Sequence, residues 1–186
     1  MPTKIEIDKY SINPYGYLRG LFTQTVASTP VTNTTAEQTL LGSGIGTITV
    51  PANGFKPGDS FHLIVTGHIN SLNNQKLRIK VKADSIILAD TDLFTTYSTT
   101  DKHFKLEVFF IIRSIGSSGV ASIVTAGTFM YTKNASTNFE GVNWSTETAT
   151  GFDTTISNTL NVTAQWDNAS VDNSIYSELI TLTKTF

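Results

Sequence analysis

Residues 75–83 read QKLRIKVKA, and this stretch sets the interpretation of the whole chain. Apolar side chains alternate with basic ones along it. Successive side chains of a β-strand point to opposite faces, so strict alternation predicts a half-buried strand with one wet face. The apolar row comprises Leu77, Ile79 and Val81, and the basic row comprises Lys76, Arg78, Lys80 and Lys82.

The same period-2 pattern recurs in Phe61–Ile69, Phe104–Ile112 and Leu160–Trp166. No stretch combines helix capping with a 3.6-residue period over three turns. Roughly eight to ten strands with uneven loops favour a two-sheet jelly-roll sandwich over an up-and-down barrel. The sequence therefore predicts an all-β protein with a single jelly-roll-like, antiparallel β-sandwich.

Two hairpins and a long loop are predicted in the second half of the chain. His103–Ile115 and Val120–Lys133 flank the turn GSSG, which predicts a hairpin because glycine permits the positive φ of tight turns. Leu160–Asp167 and Ile175–Phe186 are predicted to form a second hairpin. Between these pairs, Asn134–Gly151 is interpreted as a long polar loop.

The chain divides into a short arm and one domain. Residues 22–186 carry the strand pattern, and 186 residues with a 39% hydrophobic fraction suit one sandwich core. Met1–Leu21 has no clear periodicity and contains the turn-rich aromatic stretch around Tyr15 and Tyr17. We interpret this segment as an arm or anchor outside the core, with a disordered terminus as the alternative.

Composition excludes several classes of function. A net charge of −2 gives no long-range attraction to nucleic acid. The absence of Cys excludes disulfides, thiolate metal sites and a Cys nucleophile. The first twenty residues lack the apolar region of a signal peptide, and no apolar run approaches membrane-spanning length. We therefore expect synthesis in a cytoplasm and no membrane partner.

His62, Ile64 and His68 fall on one face of the same predicted strand. The two histidines are about 20 Å apart, too far to share a metal whose bonds are near 2 Å. The face is interpreted either as part of an intersubunit surface or as exposed polar surface. Apolar residues at Phe109 and Ile111, opposite the core row of their strand, favour the first interpretation, with the face buried in a homo-oligomer.

The basic row at 76–82 has two interpretations. In the first, its four cations, spaced about 6.7 Å apart on one face, bind an anionic glycan or an acidic strand of a neighbouring protein. A solvated sheet face that discourages aggregation is the alternative.

Trp144, Phe139 and Tyr131 also have two interpretations, stacking on a sugar ring or packing in a core or interface.

No motif supports catalysis or a cofactor. Gly42–Gly46 lacks the lysine and the helix of a phosphate-binding loop, so we expect a turn or bulge there. Oxygen ligands for Ca²⁺ could come from Asp90 and Asp92, or from the cluster from Asp167 to Asn173. Neither group has the spacing of a known calcium-binding loop. Turn formation by Asp and Asn explains them better. We expect no metal, no cofactor and no enzyme activity.

Two stretches carry a family resemblance. Leu40–Phe61, LLGSGIGTITVPANGFKPGDSF, and Leu160–Ile175, LNVTAQWDNASVDNSI, resemble blocks of jelly-roll virion proteins of tailed phages and related viruses. That class includes head fibres, decoration proteins and tail-associated spikes, often trimers, and the resemblance covers about Phe22–Phe186. It implies a non-enzymatic structural protein of a virion that forms a homotrimer and contacts other virion proteins. Met1–Leu21 would anchor it to the particle.

Two other functions remain open from the sequence. One is a carbohydrate-binding or receptor-binding module of a virion, which would bind a host-surface glycan on an aromatic platform around Trp144. The other is a glycan-cleaving enzyme, because paired carboxylates can be brought together by the fold alone.

Overall fold

The computed structural model describes residues 19–134 and 138–186, so the predicted arm with Tyr15 and Tyr17 lies outside these ranges apart from its last three residues. Fourteen strands and no helix occur in the described part of the chain. Their bounds are β1 (Arg19–Gln24), β2 (Val31–Thr32), β3 (Gln38–Thr39), β4 (Gly44–Gly46), β5 (Thr49–Val50), β6 (Ser60–Ser71), β7 (Gln75–Ala83), β8 (Ile86–Asp90), β9 (Phe94–Thr96), β10 (Thr99–Ile115), β11 (Val120–Thr132), β12 (Phe139–Asp153), β13 (Asn158–Trp166) and β14 (Ser174–Lys184).

The strands form two antiparallel sheets. The large sheet has the order β12-β11-β10-β6-β14-β1-β4, with β2 also paired to β14. The small sheet has the order β3-β13-β7-β8, with β5 on β13 and β9 on β7. The chain passes between the sheets at every connection from β2 to β7, again from β9 to β10, and on either side of β13. These crossings produce a jelly-roll-like sandwich, which confirms the predicted fold class.

The core lies between the facing sides of the two sheets. Burial alternates along all twelve residues of β6, and Leu77, Ile79 and Val81 of β7 are at most 1% exposed, as the alternation predicts. Trp166 of β13 is the largest fully buried side chain. Its indole N–H donates to the carbonyl of Val31 at 3.1 Å, so the bulky ring is buried without an unpaired donor.

The first predicted hairpin is confirmed. β10 and β11 pair antiparallel from Phe104 opposite Tyr131 to Ile115 opposite Ala121. The turn closes with the Gly119 N–H donating to the Gly116 carbonyl at 2.9 Å. Gly119 has a φ of 82°, a conformation that favours glycine.

Two other sequence predictions were wrong. β13 pairs with β7 in the small sheet and β14 with β6 in the large sheet, so these strands do not form a hairpin with each other. The connection between them crosses the sandwich instead. Most of the predicted polar loop Asn134–Gly151 belongs instead to β12 (Phe139–Asp153), which pairs with β11 along most of its length. β12 is the last strand on its side of the large sheet.

Candidate functional site

The basic row of β7 lies on the outer face of the small sheet and is paired within the chain. Lys80 and Lys82 place their Nζ atoms 2.6 and 2.9 Å from the two carboxylate oxygens of Glu37. Burial alone would raise the pKa of Glu37. Hydrogen bonds from Lys80, Lys82 and Thr163 outweigh that effect and lower the pKa to about 2.

Arg78 is held in the same way by Asp90. The Arg78 Nε donates to Asp90 Oδ1 at 2.8 Å and Nη2 lies 2.5 Å from Oδ2, a two-pronged contact. The hydrogen bond that Arg78 donates to Asp90 raises the pKa of Arg78 above its ordinary value. Three of the four predicted contact residues in this row are thus ion-paired within the chain, although Lys80 and Lys82 share the single charge of Glu37, and Lys76 is exposed. This face has the character of a solvated surface with its charges already paired.

The outer face of the large sheet has a different composition. His62, Ile64 and His68 of β6 lie there together with Phe109 and Ile111 of β10, as the strand alternation predicts. Phe109 is 46% exposed and Ile111 44% exposed. Leu179 of β14, opposite Thr66, adds a third large apolar side chain at 43% exposure. We call this surface the outer face; its central members are His62, Ile64, Thr66, His68, His103, Lys105, Glu107, Phe109, Ile111, Tyr176 and Leu179.

One polar cluster of the outer face is centred on His62. Its ring lies parallel to that of Phe109 with centroids 4.1 Å apart, and its Nε2 is 2.8 Å from Glu107 Oε1. The second oxygen of Glu107 accepts from Lys105 Nζ at 2.7 Å. Hydrogen bonds from Lys105 and then His62 lower the pKa of Glu107.

The second cluster is centred on His68. Nδ1 of His68 is 2.7 Å from Asp101 Oδ1, and Nε2 is 3.2 Å from Glu178 Oε2. Its ring stacks on Tyr176 at 5.3 Å and meets the edge of His103 at 4.4 Å. Burial, followed by the charges of Glu178 and Asp101, raises the pKa of Tyr176, so its phenol stays neutral.

All three histidines of the chain therefore lie on one face, but in two separate clusters. Within residues 19–134 and 138–186, no three His, Cys, Asp or Glu side chains are placed to hold a metal ion. Sequence reasoning missed the carboxylates of Asp101, Glu107 and Glu178. These residues come from β10 and β14, and only the pairing of both strands with β6 brings them to the histidines.

The three aromatic residues considered for sugar stacking do not form one exposed platform. Tyr131 is 1% exposed and Phe139 is exposed. Trp144 packs against the core and lies over Gly127, where an added Cβ would be 2.5 Å from the indole Cζ2. Trp144 thus has a packing role in the β11–β12 hairpin.

A shallow depression of about 640 Å³ lies on the outer face over Ala126 and Gly127. Phe109 and Glu107 line one side of it, and Asn143 lines the other. The small residues of β11 create this depression, which extends the outer face toward β12. It is open and offers no enclosed volume for a small ligand.

The acidic and Asn residues considered for calcium have turn roles. The Asp90 carboxylate accepts the Asp92 N–H at 2.9 Å as well as pairing with Arg78, and Asp92 has a φ of 52°. The buried Asn173 accepts the Leu72 N–H at 3.1 Å and so joins two connections between the sheets. These contacts give Asp90 and Asn173 structural roles in the turns that contain them.

The glycines at 42–46 also have a structural explanation. Gly46 in β4 has a φ of 100°, and a Cβ there would lie 2.0 Å from the carbonyl oxygen of Leu21. β4 can pair so closely with β1 only because these positions lack side chains.

No model of a known protein family matches this chain, and no curated protein matches it. In the ranges covered by the structure, no helix has the length and hydropathy of a membrane span.

Proposed function

We propose that this chain is a structural subunit of a viral particle, which works by assembly and surface contact. Copies of the chain associate, as a trimer, through the outer face of the large sheet. The observation that carries this proposal is the contrast between the two outer faces. The small sheet faces outward with paired charges and exposes Ile87, whereas the large sheet exposes three large apolar side chains, Phe109, Ile111 and Leu179. Several exposed apolar side chains of this size on one sheet face are typical of an interaction surface.

The size of the outer face supports a stable contact. Seven strands lie side by side, and β6 alone has twelve residues. With strand spacings of about 4.8 Å and a rise of about 3.3 Å per residue, the face measures at most roughly 30 by 40 Å. An area of up to about 1,200 Å² can accommodate the roughly 800 Å² per partner of a standard specific interface.

The chemistry of the face favours a second copy of the chain as its occupant. Phe109 and Ile111 lie toward one end of the face, opposite His62 and Ser60 of β6. Lys105 and Leu179 lie in the middle, both opposite Thr66, and the acidic groups of Asp101 and Glu178 lie beside His68 toward the other end. In a trimer each contact is heterologous, so different parts of this one face would meet on neighbouring copies. A nucleic acid or a purely acidic partner would require a face dominated by cations.

The placement in a virion rests on the resemblance of Leu40–Phe61 and Leu160–Ile175 to jelly-roll virion proteins. In this proposal the described domain supplies the body of the fibre, decoration or spike. Met1–Leu21 links it to other virion proteins.

The test is the mass of the full chain in solution by light scattering, for the wild type and two matched variants. We expect the wild type at three times 20.2 kDa. F109S removes a central apolar ring and should yield a monomer with an unchanged circular dichroism spectrum. I87S changes an apolar residue of β8, 40% exposed, and should leave the trimer intact. A trimer that survives F109S and I111S together would exclude this face as the contact.

A further inference from the structure

We infer that His68 makes assembly through the outer face dependent on pH, with tighter association in mild acid than in mild base. This inference rests on the proposed function, because it concerns the regulation of the same surface. Its structural basis is the placement of a carboxylate oxygen against each ring nitrogen of His68, at 2.7 Å for Asp101 and 3.2 Å for Glu178.

A neutral imidazole carries a proton on only one of its two ring nitrogens. The other nitrogen then directs a lone pair at a carboxylate oxygen, which repels it. The imidazolium has an N–H on both nitrogens and can therefore interact favourably with Asp101 and Glu178 at once. The geometry around His68 suits the charged ring.

The groups facing His68 come from both neighbouring strands. β10 supplies Asp101 and His103, with Lys105 one position further along the face, and β14 supplies Tyr176 and Glu178. Lys105 is already paired with Glu107, and the raised pKa of Tyr176 keeps its phenol neutral. With neutral histidines, the cluster therefore contains two carboxylates and no cation of its own.

Assembly would remove this cluster from water and bring the same cluster of another copy closer. Two carboxylates without a compensating cation are costly to desolvate and repel their symmetry equivalents. A proton on His68 supplies the missing positive charge within the cluster. Histidine is the side chain that ordinarily changes charge between pH 5 and 8, so the change falls within an accessible range.

The sign follows from this linkage. Because both ring nitrogens of His68 face carboxylates, association favours the protonated ring and is tighter at lower pH than at higher pH. We therefore expect the dissociation constant of the wild-type assembly to be roughly tenfold lower at pH 6 than at pH 8, the size of one additional charge pair in an interface.

Sedimentation equilibrium at pH 6 and pH 8, at the same ionic strength, measures this ratio on the full chain. H68N should lose most of the difference between the two pH values, with any remainder attributable to His62 on the same face. H103N is the matched control. His103 touches the ring of His68, but within the described ranges His103 itself contacts no carboxylate. H103N should keep most of the wild-type pH dependence. E178Q provides a second variant in case H68N folds poorly, and it should reduce the ratio.

The possible results separate the two proposals. A tenfold ratio in wild type that is mostly lost in H68N supports the inference. A wild-type trimer with equal dissociation constants at both pH values overturns the inference and leaves assembly intact. If the ratio is unchanged in both H68N and E178Q, other groups cause the pH dependence and the inference is overturned. A wild-type monomer at both pH values and all concentrations overturns both proposals.

Discussion

The imidazole ring of His62 lies parallel to the phenyl ring of Phe109, with 4.1 Å between centroids and 7° between planes. The two residues are directly opposite each other in the β6–β10 pairing, and Glu107 holds the Nε2 of His62 at 2.8 Å. This contact fixes the orientation of a phenyl ring that remains 46% exposed. An ordered apolar ring loses little conformational freedom when a partner covers it, which suits it to an interface.

Loss of this stack should have a small effect on the fold. F109L keeps an apolar side chain but removes the ring, so we expect the free energy of unfolding of the monomer to fall by about 1 kcal/mol. Denaturant titration at a concentration below assembly measures this. H62Q should cost a similar amount, and the double variant should cost less than the sum of the two because they share one contact. Fully additive effects would show that the two rings do not interact.

Glu37 should contribute to stability in a pH-dependent way. Its pKa is lowered to about 2 in the folded chain, below an unfolded value near 4.5. The stabilisation is therefore present above about pH 4.5 and is lost as pH falls toward about 2. We expect the wild type to lose roughly 2 kcal/mol more than E37Q between pH 6 and pH 2.5, as measured by urea unfolding.

D172N is the matched control for the experiment on Glu37. Asp172 is exposed in the turn before β14, and its N–H, rather than its carboxylate, makes the hydrogen bond there. The acid sensitivity of D172N should equal that of the wild type. Equal acid sensitivity of E37Q and the wild type would contradict the role of the Lys80–Glu37–Lys82 pairing.

Gly127 should be intolerant of a side chain. A Cβ would lie 2.5 Å from the Cζ2 of Trp144, on a rigid ring. We expect G127A to lower the free energy of unfolding by about 1–3 kcal/mol, the usual cost of overpacking. G20A is the control, because no atom lies within 4 Å of its Cβ position. In a W144L background G127A should cost much less, and an undiminished cost there would exclude the ring as its cause.

The alternation at 75–83 predicted β7 to the residue, because one period-2 row must be buried when a sheet covers only one side. The hairpin of β10 and β11 was predictable for the same reason, with glycines at the turn. The sheet to which each strand belongs could not be predicted from the sequence. β13 and β14 have the alternation and turn residues of a hairpin, yet they belong to opposite sheets, because alternation does not specify which strand lies alongside.

β12 escaped prediction for a compositional reason. Its sequence, FEGVNWSTETATGFD, is dominated by Gly, Thr, Ser, Asn and acidic residues, which are common in loops. As the last strand of the large sheet it is covered less than a central strand: Val142 and Trp144 are only partly buried and Phe139 is exposed, although Phe152 near its end is buried. The histidine face was predictable from β6 alone. Its carboxylates were not, because they reach the histidines across strand pairings that join distant parts of the chain.

The most direct test of the central claim measures whether the outer face is covered in solution. The chain contains no Cys, so one introduced thiol reports on one position. Ile111 on the outer face is 44% exposed and Ile87 of the small sheet 40% exposed, which makes I111C and I87C a matched pair. We predict that the I111C thiol reacts with a soluble thiol reagent more slowly as protein concentration rises, while the I87C rate stays constant. Equal rates for both variants at every concentration would contradict assembly through this face.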